Sequence, residues 1–179
     1  VDHGIAEESA TVAESVARAA SARGLRCFTT TLHLDAGTTE TKARLARRAA
    51  LRELAAEAGA PVIVLAHHAD DQAETVLLQL LQGTARATGI REREGIVVRP
   101  LLAHTREELR AYLRARGEAW REDPTNQDPA LDRNFLRLFV FPLLEERFPA
   151  AKRALARFAE ARAEEEGVLE RQAEARLLP

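Results

Sequence analysis

An α/β fold built on a parallel sheet is what this sequence predicts, and three observations predict it. Helix-period and strand-like segments alternate from residue 6 to residue 117. The run Pro61-Val-Ile-Val-Leu-Ala66 is short, apolar and β-branched, like strands buried on both faces. Hydrophobic residues make up 46% of the 179 positions, enough to build a packed core rather than a disordered chain.

The elements follow in order. Residues 6 to 23 repeat Val12, Ala13, Val16, Ala17 and Ala20 at helical spacing, and Gly24 is placed to end that helix. Leu25 to Leu34, rich in Thr, Phe and Leu, reads as a strand. Glu40 to Ala58 reads as a second helix stopped by Gly59. After the apolar run at 61 to 66, Asp70 to Gln82 reads as a third helix ended by Gly83. Ile96 to Val98 reads as a short strand. Thr105 with Glu108 three residues on forms a capping box that opens a fourth helix, and Gly117 closes it. A turn-rich loop covers 123 to 130. From Leu131 onward the pattern is helical with a break at Phe148-Pro149, and 151 to 178 is mostly Ala, Arg and Glu. The expected division is a domain over 1–149 and a helical linker, or the start of a further domain, over 150–179.

Composition narrows the function. No apolar run approaches the roughly 18 residues of a membrane span, and no basic segment followed by an apolar one opens the chain as a signal peptide does. The single cysteine, Cys27, excludes an internal disulfide framework and any CxxC site, and it fits a reducing, cytoplasmic setting. A net charge of −2 excludes a uniformly basic nucleic-acid coat, so an RNA site must come from local clustering. Lys42 and Lys152 are the only lysines among 26 basic residues; the rest are arginine. The chain opens on Val1 and holds no methionine, as expected of a fragment or a misassigned start.

Three clusters carry chemistry. In His67-His-Ala-Asp-Asp-Gln-Ala-Glu-Thr75, directly after the buried-type strand, Asp71 and Glu74 lie off the apolar stripe of Ala73, Val76, Leu77, Leu80 and Leu81. The carboxyl end of such a strand is where open α/β sheets bind ligands. Paired carboxylates there hold Mg²⁺ against a phosphate or bind an ammonium group. The structural alternative is that Asp70 or Asp71 caps the helix and Glu74 closes a capping box. His67 and His68 either orient phosphate or pack as neutral rings. In the second cluster Arg44, Arg47 and Arg48 share a side with Leu51, Leu54, Ala55 and Ala58. Their guanidinium forks suit phosphate, unless this is a solvated face with Glu40–Arg44 pairing. In the third, Arg133 and Arg137 are spaced i, i+4 to meet RNA phosphate or to sit on a mixed-charge surface helix. No GxGxxG or GxxxxGK[ST] cradle is present.

These residues resemble those of tRNA(Ile)-lysidine synthetases, within the PP-loop (N-type) ATP pyrophosphatases. His67 to Thr75 is similar to the HHxDDQAET signature. Val1-Asp-His-Gly4 resembles the VxHGLR segment, Glu40 to Arg47 the ExxARxxRY helix start, and Arg99-Pro-Leu-Leu102 the RPLL strand. Glu122 to Asn126 followed by Leu131 to Leu144 resembles the EDxxN…LRNRIRHxVLPLL block. The likeness runs from residue 1 to about 150. It departs at Ala6, Arg48 and Phe135, where the family carries arginine, tyrosine and arginine.

The resemblance implies a PP-loop ATPase domain over 1–149, N-terminally truncated so that the family's SGGxDS phosphate loop and first strand are absent, with a helical extension. It implies ligation of free L-lysine to the wobble cytidine of tRNA(Ile), by ATP-dependent adenylation of C2 and displacement of AMP. It implies Asp71, Glu74, Arg44 and Arg47 as catalytic residues, and His3, Gly4 and His67 as ATP-binding. Arg133 and Arg137 fall on the tRNA side, and Asp71 becomes a ligand of Mg²⁺. A homodimer is among the expected assemblies. The competing expectation is a non-catalytic RNA-binding relative. A sulfur-inserting relative is disfavoured, because those use CxxC pairs.

Overall fold

The computed structural model describes residues 1, 9–32, 34, 37–84, 86–122 and 124–177. The chain divides into two compact units, 1–63 and 64–179.

The first unit holds two helices, α1 (Ser9–Ala22) and α2 (Glu40–Glu57). Gly24, at φ +68°, lets the Leu25 N–H reach back to Ala20 O at 3.0 Å and so closes α1. The Thr39 hydroxyl caps α2 by accepting from the Lys42 N–H. Gly59, at φ +65°, ends it as the sequence predicts. The strand expected over Leu25 to Leu34 does not form among the described residues there; Thr31 makes only an isolated bridge. Leu25 is 62% exposed, and the Thr and Phe content of this run finds no half-buried pleated surface to match.

In the second unit the chain passes from β1 (Ile63–Val64), which spans the boundary, into α3 (Ala69–Leu81). It then forms the hairpin β2 (Arg93–Glu94) and β3 (Val97–Val98) and continues into α4 (Arg106–Ala115). The strands form one small sheet of order β1-β3-β2. β2 and β3 are antiparallel, with Arg93 opposite Val98, so the wholly parallel sheet expected from the alternation is corrected at this edge. Just past β1 the Leu65 N–H donates to Val98 O at 2.9 Å. The strand expected at Arg99 to Leu102 is a turn, with His104 N–H donating to Leu101 O. Pro100 has no N–H to give a ladder there. The capping box at Thr105 and Glu108 opens α4 as predicted.

After a 3₁₀ turn at Pro124–Gln127, one continuous helical segment runs through α5 (Asp132–Phe135), a π-helical stretch (Leu136–Val140) and α6 (Phe141–Arg147). The cause of the π stretch is local: Pro142 lacks an N–H and crowds the carbonyl four residues back, which a widened turn relieves. Its effect reaches the core. Leu136 and Phe141, five residues apart, come onto one face and pack with Ala73 of α3. The helix α7 (Ala151–Leu177) then lies against α3, burying Val76, Ala87 and Ala159 in a second cluster. Its first half thus packs into this unit's core.

Gly89 shows how tightly the loop before β2 is drawn in. A Cβ there would lie 2.7 Å from Gln72 Oε1 and 3.0 Å from the Ala159 Cβ. Gln72, inside the motif, holds this loop by pairing both its amide groups with the Ile90 backbone. No described helix is long and apolar enough to cross a membrane.

Candidate functional site

The segment 65–71 leaves the sheet and turns straight into α3, so the motif sits at the carboxyl end of β1 as expected. The turn is shaped by a reciprocal cap. His68 is the N-cap residue; its Nδ1 accepts from the Asp71 N–H at 3.4 Å, while Asp71 Oδ2 accepts from the His68 N–H at 3.0 Å. This corrects the capping alternative read from sequence: His68 caps, Asp71 closes the box, and Glu74 takes no part. An imidazole Nδ1 that accepts a hydrogen bond is unprotonated.

Asp70 faces elsewhere. Its Oδ2 accepts from the Arg106 N–H at 2.8 Å, at the start of α4, and its Oδ1 lies 3.5 Å from Lys152 Nζ in the first turn of α7. Burial pushes the Asp70 carboxyl up. The hydrogen bond from the Arg106 N–H, then the charges of Lys152 and Arg106, outweigh this and hold it below its ordinary 3.8.

Glu74 is 1% exposed, so it is not a carboxylate open to a ligand. Both its oxygens are held by one guanidinium: Arg137 Nε donates to Oε1 at 2.8 Å and Nη2 to Oε2 at 2.9 Å. Arg137 Nη1 donates to Asn126 Oδ1 at 3.0 Å, and Nη2 lies 3.8 Å from Asp71 Oδ1. Burial draws the Arg137 guanidinium down, but the bonds to Glu74 and then the charges of Glu74, Asp71 and Asp70 raise it further above its ordinary value. Arg133, one turn earlier, donates to Thr75 Oγ1 at 2.8 Å. Both arginines expected at tRNA are therefore turned towards α3.

The stripe read from the wheel is corrected as well. Ala73 and Val76 are buried, but Leu80 and Leu81 are exposed, while Glu74 faces the interior. Arginine beside α3 makes a polar position compatible with burial, which a wheel of one helix does not register. His67 is half-buried, with its Nδ1 enclosed. His3 and Gly4 lie outside the described residues. Arg44 and Arg47 are exposed on α2, in the first unit, with no ion pair to another described residue. Sequence reasoning gave no site role to Gln72 or Lys152 and offered Asp70 only as a helix cap. Lys152 had a signal, as one of two lysines in an arginine-rich chain.

The described residues do not fit a resident Mg²⁺. No group of three or more His, Cys, Asp or Glu side chains among them is arranged to hold a metal ion. Both Glu74 oxygens lie on Arg137, and Asp71 Oδ2 lies on the His68 N–H. What remains is Asp71 Oδ1 beside a guanidinium, too few oxygens for a protein-built site.

Asp71 is thus fixed by the cap and flanked by the Arg137–Glu74 pair. Residues 1–144 match the PP-loop domain family. The chain belongs to the PP-loop family. The PP-loop chain is 72% identical to a tRNA(Ile)-lysidine synthase of Thermus thermophilus, over 100% of its own length and 36% of that protein. It is 41% identical to a tRNA(Ile)-lysidine synthase of Deinococcus radiodurans, over 100% of its own length and 31% of that protein. The chain thus spans 31–36% of the length of these curated relatives. A U34-tRNA thiolase of Methanococcus maripaludis, a solved structure, superposes with a TM-score of 0.70 at 14% identity. That match covers 89% of this chain and 59% of the thiolase, and it shows the PP-loop fold.

Proposed function

We propose that this chain carries part of the catalytic domain of a tRNA(Ile)-lysidine synthetase. In this reading ATP adenylates the C2 oxygen of the wobble cytidine with release of pyrophosphate, and the ε-amine of free L-lysine, once deprotonated, attacks C2 and displaces AMP. The observation that carries it is the 72% identity, over the whole chain, to a protein of that name. The geometry around Asp71 supports it.

The lysine substrate brings a cation that must be held and then deprotonated before it can attack. Of the two carboxylates expected to receive it, Glu74 is neutralised by Arg137, which leaves Asp71. Asp71 lies in the first turn of α3, where an acidic side chain suits the positive end of the helix dipole. Its Oδ1 is the oxygen not engaged in the cap, and it is assigned the lysine ammonium. Arg137 and Glu74 hold the wall behind Asp71. Arg44 and Arg47, exposed on α2, are assigned the phosphates of ATP and of the cytidine nucleotide. His67 is assigned to the ATP side. Arg133 and Arg137, committed to Thr75 and Glu74, are reassigned from tRNA contact to support of α3.

The full-length protein, given ATP, labelled lysine and a tRNA(Ile) transcript with a wobble cytidine, is expected to label the tRNA in an ATP-dependent way. Asp71→Asn, which keeps an oxygen to accept from the His68 N–H but loses the charge, is expected to lower that rate by about 100-fold or more with the melting temperature little changed. No labelling by the wild-type protein, with tRNA binding that ignores ATP, would establish the non-catalytic RNA-binding reading instead.

A further inference from the structure

We propose that Lys152, in the first turn of α7, is a positioning residue for the Asp71 turn, locking the start of α3 to the starts of α4 and α7. This deepens the lysidine synthetase reading and rests on it. It concerns a residue outside the stretch that matches the PP-loop family, which ends at 144.

The contacts converge on one point. Lys152 Nζ lies 2.9 Å from Glu145 Oε2 and 3.5 Å from Asp70 Oδ1, and it sits over the Phe141 ring at 5.5 Å. Asp70 in turn accepts from the Arg106 N–H, and the Ala69 N–H donates to His104 O at 2.8 Å. The first turn of α3 is thus tied to the segment entering α4 by two bonds and to α7 by one ion pair. Asp71 is the next residue along, and its amide is the donor in the cap with His68. Any shift of Asp70 carries the Asp71 carboxylate with it.

Two features argue that this placement is more than a surface ion pair. A cation in the first turn of a helix is opposed by the helix dipole, so Lys152 needs an offsetting reason to be there, and two carboxylates and a ring face supply it. The side chain is 27% exposed and Asp70 15%, well below the exposure at which ion pairs contribute little. A compact ammonium can bridge two carboxylates while lying on an aromatic face, in a chain that otherwise uses arginine almost throughout. Without it Asp70 and Glu145 are left as uncompensated neighbours, and their repulsion acts on the turn that presents Asp71.

The test uses the full-length protein with Lys152→Met and Lys152→Arg. Lys152→Met is expected to raise KM for lysine about tenfold, within the range a ~1 Å misplacement costs, while KM for ATP stays unchanged. Lys152→Arg should restore most of the loss. Amide exchange gives a readout independent of catalysis: the Asp71 N–H should exchange about tenfold faster in Lys152→Met while Val76, deeper in α3, does not change. Unchanged lysine KM and unchanged Asp71 exchange, even with a lowered melting temperature, would overturn the proposal. A wild-type protein that incorporates no lysine would instead sink the function, and the Asp71 exchange would still decide the interlock.

Discussion

Arg44 and Arg47 near the start of α2, and Arg133 and Arg137 in the segment 132–147, share a similar helical spacing but not the same surroundings. The first pair is exposed, with no ion pair to another described residue. The second pair is drawn onto α3, where Arg137 meets both oxygens of a carboxylate that is 1% exposed. An exposed guanidinium keeps its donors for a phosphate that arrives from solution. A guanidinium already bidentate to a buried carboxylate has lost most of that capacity, and it holds protein to protein instead. The same residue type at nearly the same spacing therefore has opposite capacities, and burial of the partner decides which.

The largest effect should come from breaking the buried pair. Arg137→Ala or Glu74→Ala leaves an uncompensated charge between α3 and the 132–147 segment and is expected to cost about 3–5 kcal/mol. Urea denaturation would measure it. The double variant Arg137→Met/Glu74→Leu should lose much less than the sum of the two, because no lone charge remains. Equal and additive small losses would mean that the pair is no more than a surface contact. Arg44→Ala and Arg47→Ala should behave in the opposite way. Each should leave stability within about 0.5 kcal/mol and reduce the salt slope of tRNA binding by about 1. A loss of stability without a change in slope would erase the contrast with Arg137.

The smallest effect is a matter of pH. The folded-state carboxyl of Asp70 titrates below its unfolded value of 3.8, so the unfolded chain binds more protons in that range. The stability it contributes is whole above 3.8 and drains as pH falls through the lower folded value. Asp70→Asn should flatten that part of the acid limb in a pH series of denaturation midpoints, and an unaltered limb would remove Asp70 from the account.

The helix ends and the place of the motif were legible in the sequence. The capping box at Thr105 and Glu108, the glycine stops at 24, 59 and 117, and the motif's place after an apolar strand all depend on a few adjacent residues, which sequence order presents directly. The role of Glu74 was not legible. Its partner lies 63 positions along the chain, on a segment whose π turn reorients the face, and neither fact leaves a local periodic trace. The strand expected at 25 to 34 failed for a related reason, since propensity reports what a residue tolerates and not whether a neighbour is there to pair with.

By itself, the sequence determined the family, the positions of helix ends and the order of the chemistry-bearing segments, because these follow from short-range backbone preferences and from motif identity. Only the tertiary structure decided which charges remain available: Asp71 is held in place with one carboxylate oxygen left outside the cap, Glu74 is consumed by Arg137, and Lys152 is recruited from beyond the matched domain. Charge availability depends on desolvation and on contacts between residues distant in sequence, and folding alone brings those together.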